Sequence, residues 1–180
     1  MLIAIILVVG TRFAAAQVAA AQIASPSDVP TALAVPAGLQ LVQIARAEGS
    51  QIYSCQAGSD GKFGWTLKAP EAELRDGNNN NNGKSIGRHF AGPSWKLNDG
   101  SEVTGKAVAH ADSPDPDSIP WLLVSVVSHA GNGLLTKVTT IQRLHTHGGK
   151  PPAGGCDELH KAAETKTSYS ADYFFYAPKP

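Results

Sequence analysis

His145 and His147 stand two residues apart near the end of an apolar segment, with Thr146 between them. In an extended strand such residues point to the same face, with Cα atoms about 7 Å apart. Two imidazoles presented this way are a common beginning of a Cu or Zn site. His89 is the further ligand this reading would recruit; His110, His129 and His160 are the other histidines. The pattern is short, however, and Gly148-Gly149 follows at once. A pair at a frayed strand end faces water whether or not it meets a metal. Copper or zinc binding, or metal-dependent catalysis, is therefore the alternative reading and no cofactor is the leading one.

His89 lies in Gly87-Arg88-His89-Phe90-Ala91-Gly92-Pro93-Ser94-Trp95. As a general base it would need a carboxylate such as Asp99 or Asp76. The simpler expectation is a turn histidine packed on Trp95, because Gly92-Pro93 marks a tight turn and a buried indole offers a large flat face. Trp65 and Trp95 are the candidate ligand-binding aromatics for a sugar, peptide or other small molecule. Trp121 opens the most apolar segment and belongs to the core. Trp65, between Gly64 and Thr66, is expected to be partly exposed.

Other chemistries find little support. No G-x-S-x-G places a serine on a nucleophile elbow. Glu71 and Glu73 alternate on one strand face but flank Pro70 and a polar loop, which suits solvated carboxylates better than a glycosidase pair. Asp112, Asp115 and Asp117 crowd a Pro-rich turn that lacks the central Gly and terminal Glu of an EF-hand loop. No G-x-G-x-x-G follows a strand and opens a helix, which argues against an NAD-dependent dehydrogenase. The 15 Lys and Arg balance the 15 Asp and Glu. That balance leaves no basic footprint for nucleic acid or anionic lipid.

These residues must be positioned by short strands. Leu39–Ile44, Gln51–Gln56, Phe63–Lys68, Ser101–Val108, Trp121–Ser128, Leu134–Leu144 and Ser168–Tyr176 are rich in β-branched, aromatic and apolar residues. Gly, Pro, Asn or Asp fills nearly every gap. The pattern predicts an all-β fold, an antiparallel β-sandwich or barrel, with at most one short helix near 157–165, capped by Asp157. Trp121–Leu144 reads as a hairpin around Ala130-Gly131-Asn132-Gly133, with Leu123 opposite Thr140 and both Leu123 and Val124 buried. Asn78–Asn82, between Gly77 and Gly83, reads as a solvated loop tip.

Leu2–Val9 is an unbroken apolar run followed by Ala-rich tracts. It is too short to span a bilayer and has the form of a signal peptide over 1–24, cleaved between 16 and 25. The expectation is a secreted or periplasmic protein with no transmembrane segment after cleavage. An extended leader would occupy 25–36 and a single β domain 37–177. Cys55 and Cys156 are the two cysteines, and in an exported chain they are expected to pair.

The phrases Val35-Pro36-x-Gly38-Leu39, Gly49-Ser50-Gln51-Ile52-Tyr53-x-Cys55 and Ala69-Pro70-x-Ala72 occur in order. They are followed by Ile86-Gly87-x-His89-Phe90-Ala91-Gly92-Pro93-x-Trp95, Asp99-Gly100-Ser101-x-Val103-x-Gly105 and Ile119-Pro120-Trp121-Leu122-Leu123. Ile141-Gln142-Arg143, Gly148-Gly149, Gly155-Cys156-Asp157 and Tyr169-x-Ala171-Asp172-Tyr173-Phe174-Phe175-Tyr176 complete the series. The chain thereby resembles the secreted bacterial and fungal proteins grouped as domain of unknown function 3455, over about residues 33–177. The resemblance implies an exported single domain with no agreed biochemistry. Some fungal members carry the label malate dehydrogenase, which the missing dinucleotide motif does not support. The Asn run and His145-x-His147 depart from the family's usual pattern. The leading reading is thus an exported binding or structural component of the cell envelope or secretome, its partner a small molecule, glycan or protein.

N-terminal sequencing of the secreted protein should find cleavage between about Ala16 and Ser25. A mature chain beginning at Met1 would contradict the export reading.

Overall fold

The computed structural model describes residues 24–78 and 83–180. The apolar run at Leu2–Val9 and most of the Asn run lie outside the described residues. Eight antiparallel strands follow one another around a ring: β1 (Leu39–Ala57), β2 (Phe63–Asp76), β3 (Ser85–Phe90), β4 (Ser94–Leu97), β5 (Glu102–Ala111), β6 (Trp121–Ala130), β7 (Thr140–Gly148) and β8 (Glu164–Pro178). Each strand pairs with its sequence neighbours. β1 closes the ring on β8, from Leu39 opposite Pro178 to Ser54 opposite Glu164. Of the two architectures the sequence allowed, the chain adopts the barrel.

Strand alternation sorts the side chains. On β8, Tyr169, Ala171, Tyr173 and Phe175 point into the barrel, where they meet Ala45, Ala47, Leu74, Trp95, Val124 and Ile141. Phe174 and Tyr176 point outward, yet both are buried. They form a second apolar layer with Leu33, Trp121 and Leu144, backed by Val29 and Val35. This explains why Tyr173–Tyr176 is apolar on both faces. The segment expected as an extended leader packs on the outside of the barrel through Val29, Leu33 and Val35 and makes a short 3-10 turn at Thr31–Leu33. Gln142, buried on the outer face of β7, donates from Nε2 to the Leu33 carbonyl at 2.7 Å and accepts from the Tyr176 hydroxyl at 2.7 Å. Its polar atoms are thus satisfied, as burial requires.

The β6–β7 connection corrects the expected hairpin. The chain does not turn over four residues; it runs through a 3-10 turn at Leu134–Lys137, and β7 starts only at Thr140. Leu123 therefore faces Gln142, not Thr140. Burial overrides the local turn signal here, because Leu135 and Val138 are fully buried and plug this end of the barrel. The Asp99 carboxylate holds the plug in place: Oδ2 accepts from the Leu134 N–H at 2.8 Å, and Oδ1 accepts from the Ser101 N–H and hydroxyl. Burial pushes that carboxyl up, but the hydrogen bonds from Leu134 and Ser101 outweigh it and hold it below the usual carboxylate range.

The expected helix near 157–165 reduces to a 3-10 turn at Glu158–His160, capped by Asp157 as anticipated. β8 claims the chain from Glu164 onward. Cys55, near the end of β1, is bonded to Cys156 with Cα atoms 5.3 Å apart. The bond ties the 149–163 connection to the barrel wall and closes a loop of 101 residues, for which the chain-entropy account gives about 4.7 kcal/mol. Among the described residues, no helix is long and apolar enough to cross a membrane.

The corrected register changes an expectation about stability. Val124 is buried inside the barrel, whereas Leu123 is only half-buried in the outer layer. Ile141→Ala should cost about 2–5 kcal/mol in urea unfolding, and Leu123→Ala less than about 2 kcal/mol. The reverse order would contradict the assignment of inner and outer faces.

Candidate functional site

The wall of the barrel is uneven. β3 meets β2 only between Ala72 and Arg75, and β4 meets β5 only between Ser94 and Lys96. The β3–β4 hairpin turns back at Ala91–Pro93. The Gly105 N–H still donates to the Pro93 carbonyl at 3.0 Å; above that bond, β2 from Phe63 to Glu71 and β5 from Lys106 to Ala111 continue with backbone pairing only to β1 and β6. The two walls therefore part above the hairpin, and a cavity of about 630 Å³ opens sideways between them. Leu67, Lys68, Ala69 and Pro70 form one wall, and Gly105, Lys106 and Ala107 the other. Gly92 and Pro93 form the sill, and the back is lined by Gln51, His89, Trp95, Leu122, Val124, Arg143 and Tyr173. This volume is in the range of small-molecule sites.

Gly105 is required at the base. A Cβ there would stand 2.4 Å from Val124 Cγ1 and 3.2 Å from Trp95 Cζ3. Its absence lets the Trp95 ring lie against β5. His89 stacks on the other side of Trp95, with ring centroids 4.4 Å apart and planes 13° apart, as the turn-histidine reading anticipated. Tyr173 sets its edge to the indole at 5.4 Å.

His89 is held neutral. Its Nδ1 lies 2.8 Å from the Ser94 carbonyl. A carbonyl only accepts, so Nδ1 carries the proton and Nε2 keeps its lone pair. Burial lowers its pKa to about 3, the Ser94 bond partly offsets this, and the nearby Arg143 charge adds to the fall. Burial pushes the Tyr173 phenol up, with Arg143 acting weakly in the opposite sense. Tyr169 and Tyr53 are raised for the same reason. All of these groups are neutral at working pH, so the guanidinium of Arg143 is the fixed charge at the back of the cavity.

The polar atoms here are unusually poorly partnered. Gln51 Nε2, Trp95 Nε1, Arg143 Nε and the Tyr173 hydroxyl are buried with no hydrogen-bond partner among the described residues. Buried polar groups are normally paired. Four such atoms converging behind one opening are the sign of a site built to meet something else.

The histidines separate. His89 is inside the barrel, while His145 and His147 lie on its outer surface. Pairing of β7 with β8 breaks between Leu144 and His147, and His145 takes a φ of 49°. The regular i, i+2 spacing is therefore interrupted. His145 Nδ1 is 2.8 Å from Asp172 Oδ2, and its Nε2 is 3.0 Å from Asp28 Oδ2. The ring also sets its edge against Trp121 and Phe174. It fastens the leader segment to the barrel. His147 is exposed, near Asp115. Among the described residues, no group of three or more His, Cys, Asp or Glu is arranged to hold a metal ion. Asp115 folds its own turn, accepting from Ser118 and the Asp117 N–H.

Trp65 is partly exposed and donates to the Gly154 carbonyl at 2.9 Å, away from the cavity. Trp95 does line the cavity, but as a buried back wall. Arg143, Tyr173, Gln51 and Lys106 were not singled out as site residues from the sequence. For Arg143 a signal existed: a lone cation between Ile141 and Leu144, on the inward phase of an apolar strand.

A family model matches residues 36–177. The chain belongs to the DUF3455 family, described as proteins of unknown function. The match covers the barrel except for Pro178 at the end of β8, so the lateral cavity lies wholly within the family domain. No curated protein and no solved structure matches the chain.

The neutral state of His89 has a measurable consequence. Between its folded pKa of about 3 and its ordinary value of 6.5, the unfolded chain binds a proton that the folded chain does not. Its contribution to stability is complete above pH 6.5 and falls as pH drops toward 3, with a slope of up to about 1.4 kcal/mol per pH unit. His89→Phe should unfold less steeply with acid than wild type over that window. Equal slopes would mean that His89 is protonated or exposed in the folded protein.

Proposed function

We propose that this protein is an exported binding module that holds a small, largely apolar molecule in the lateral cavity. The observation that carries the reading is the cavity itself: apolar walls from both strands, an open side, and unpartnered polar atoms converging at the back. Leu67 and Val127 at its edge, and Val108 beside it on β5, are each more than half exposed. Exposed aliphatic side chains around an opening are costly in water and suit the entry of an apolar molecule. The barrel interior elsewhere is filled by side chains, as in small barrels that keep room for one ligand. Export is supported by the disulfide between Cys55 and Cys156, a bond at home in oxidising compartments, and by the signal-like start of the chain. Among the described residues, the cavity lining contains no Ser, Cys, Asp or Glu, which favours binding over catalysis.

Titration with the neutral dye N-phenylnaphthylamine, whose fluorescence rises in apolar surroundings, tests the reading. Saturable binding at one dye per chain is expected. Ala107→Trp, at an exposed position on the cavity wall, should weaken it about tenfold or more by filling the opening. Absence of saturable binding, or equal binding by Ala107→Trp, would sink the proposal.

A further inference from the structure

Resting on the cavity reading, we infer that the bound molecule carries an anionic group, and that Arg143 receives it.

The cavity holds cations and no acids. Lys68, Lys106 and Arg143 line it, and none of its lining residues is Asp or Glu. Lys68 is already paired with Glu164 on the outer surface. Lys106 and Arg143 have no carboxylate within ion-pair distance among the described residues. The two differ in setting. Lys106 is exposed at the rim, where its ammonium is solvated. Arg143 sits on the inward face of β7, opposite Leu122 on β6 and Tyr173 on β8.

A guanidinium has five N–H donors and stays charged at any working pH. Among the described residues, the Arg143 side chain makes one hydrogen bond, from Nη2 to the Pro120 carbonyl at 2.8 Å. That bond anchors the side chain at one end without neutralising it. Nε is buried with no partner. Arg143 is half-buried, and drawing a charge even partly out of water without a counter-charge is unfavourable, so such charges are ordinarily paired. The positive field is felt throughout the interior: it bears on Tyr53, His89, Tyr169 and Tyr173 alike. Neutral groups complete the receptor. The unpartnered Tyr173 hydroxyl and Gln51 Nε2 are donors suited to an oxygen. A carboxylate, sulfonate or phosphate oxygen placed among them would supply the missing acceptor and the missing charge together. The ligand class is then amphipathic: an apolar body against Leu122, Val124 and Pro70, with an anionic head toward Arg143.

Two dyes of nearly the same shape test this. Anilinonaphthalene sulfonate is N-phenylnaphthylamine with one added sulfonate. Wild-type protein should bind the sulfonate about tenfold or more tightly than the neutral dye, as a charge-assisted contact in a buried site requires. Arg143→Met and Arg143→Gln should lose that preference, each variant binding the sulfonate no more tightly than it binds the neutral dye. Salt gives a test that needs no variant. A preference set by exposed Lys68 and Lys106 would fade between about 50 and 500 mM salt, whereas one set by half-buried Arg143, whose Nε is shielded from solvent, should largely persist. Binding of the neutral dye without preference for the sulfonate would overturn the anion inference and leave the cavity reading standing. Binding of neither dye would overturn both. A preference that fades with salt, or survives in folded Arg143 variants, would move the charge recognition to the rim and overturn the role of Arg143.

Discussion

Closure of the ring by β1 on β8 is the constraint on which the rest of this structure depends. The two strands are the longest in the chain, and they pair along almost their whole length, from Leu39 to Ser54 on one and from Glu164 to Pro178 on the other. Opposite them stands the short β3–β4 hairpin, with strands of six and four residues. A ring that is tall on one side and low on the other must open where it is low. The lateral cavity follows from this mismatch in strand length, and its chemistry comes from the inward residues above and behind the hairpin, His89 and Trp95 among them. The long side also explains the outer apolar layer, since Phe174, Tyr176 and Leu144 face outward beyond what a ring alone would bury and are covered by Leu33.

The two halves of the interior are built differently. The end near the plug is closed by Leu135, Val138 and Phe175, all fully buried, and is expected to be rigid in the manner of a close-packed core. The half behind the opening carries His89, Tyr173, Gln51 and Arg143 in place of aliphatic side chains. Replacing these groups with apolar residues of similar shape would remove unpaired buried polar atoms, which are costly to leave unmade. Their presence is a sacrifice of stability in one place, of the sort expected at a functional site.

The sequence made the class of fold legible because alternation and turn residues are local signals. It announced the all-β architecture, the pairing of the cysteines, the Asp157 cap and the stacking of His89 on Trp95. It did not announce β3 and β4, whose few residues include Gly87 and a Gly-Pro turn and carry little strand propensity. It also misplaced the start of β7, because Leu134–Lys137 looks like strand until Asp99 and the barrel end are known to receive it. The spacing of His145 and His147 was read on an ideal strand, which the register break after Leu144 interrupts. The bulge after Leu144 and the carboxylates of Asp28 and Asp172 are tertiary facts. The cavity was out of reach for a related reason: it is made by what two neighbouring strands fail to cover. Arg143 was the one visible trace, a charge where the alternation calls for an apolar side chain.

The most direct measurement is a crystal structure of the protein soaked with anilinonaphthalene sulfonate. The aromatic rings should occupy the space between β2 and β5, with a sulfonate oxygen within hydrogen-bonding distance of the Arg143 guanidinium. A dye bound elsewhere on the surface would contradict the account, as would an Arg143 side chain turned out of the barrel or paired with a carboxylate of its own chain.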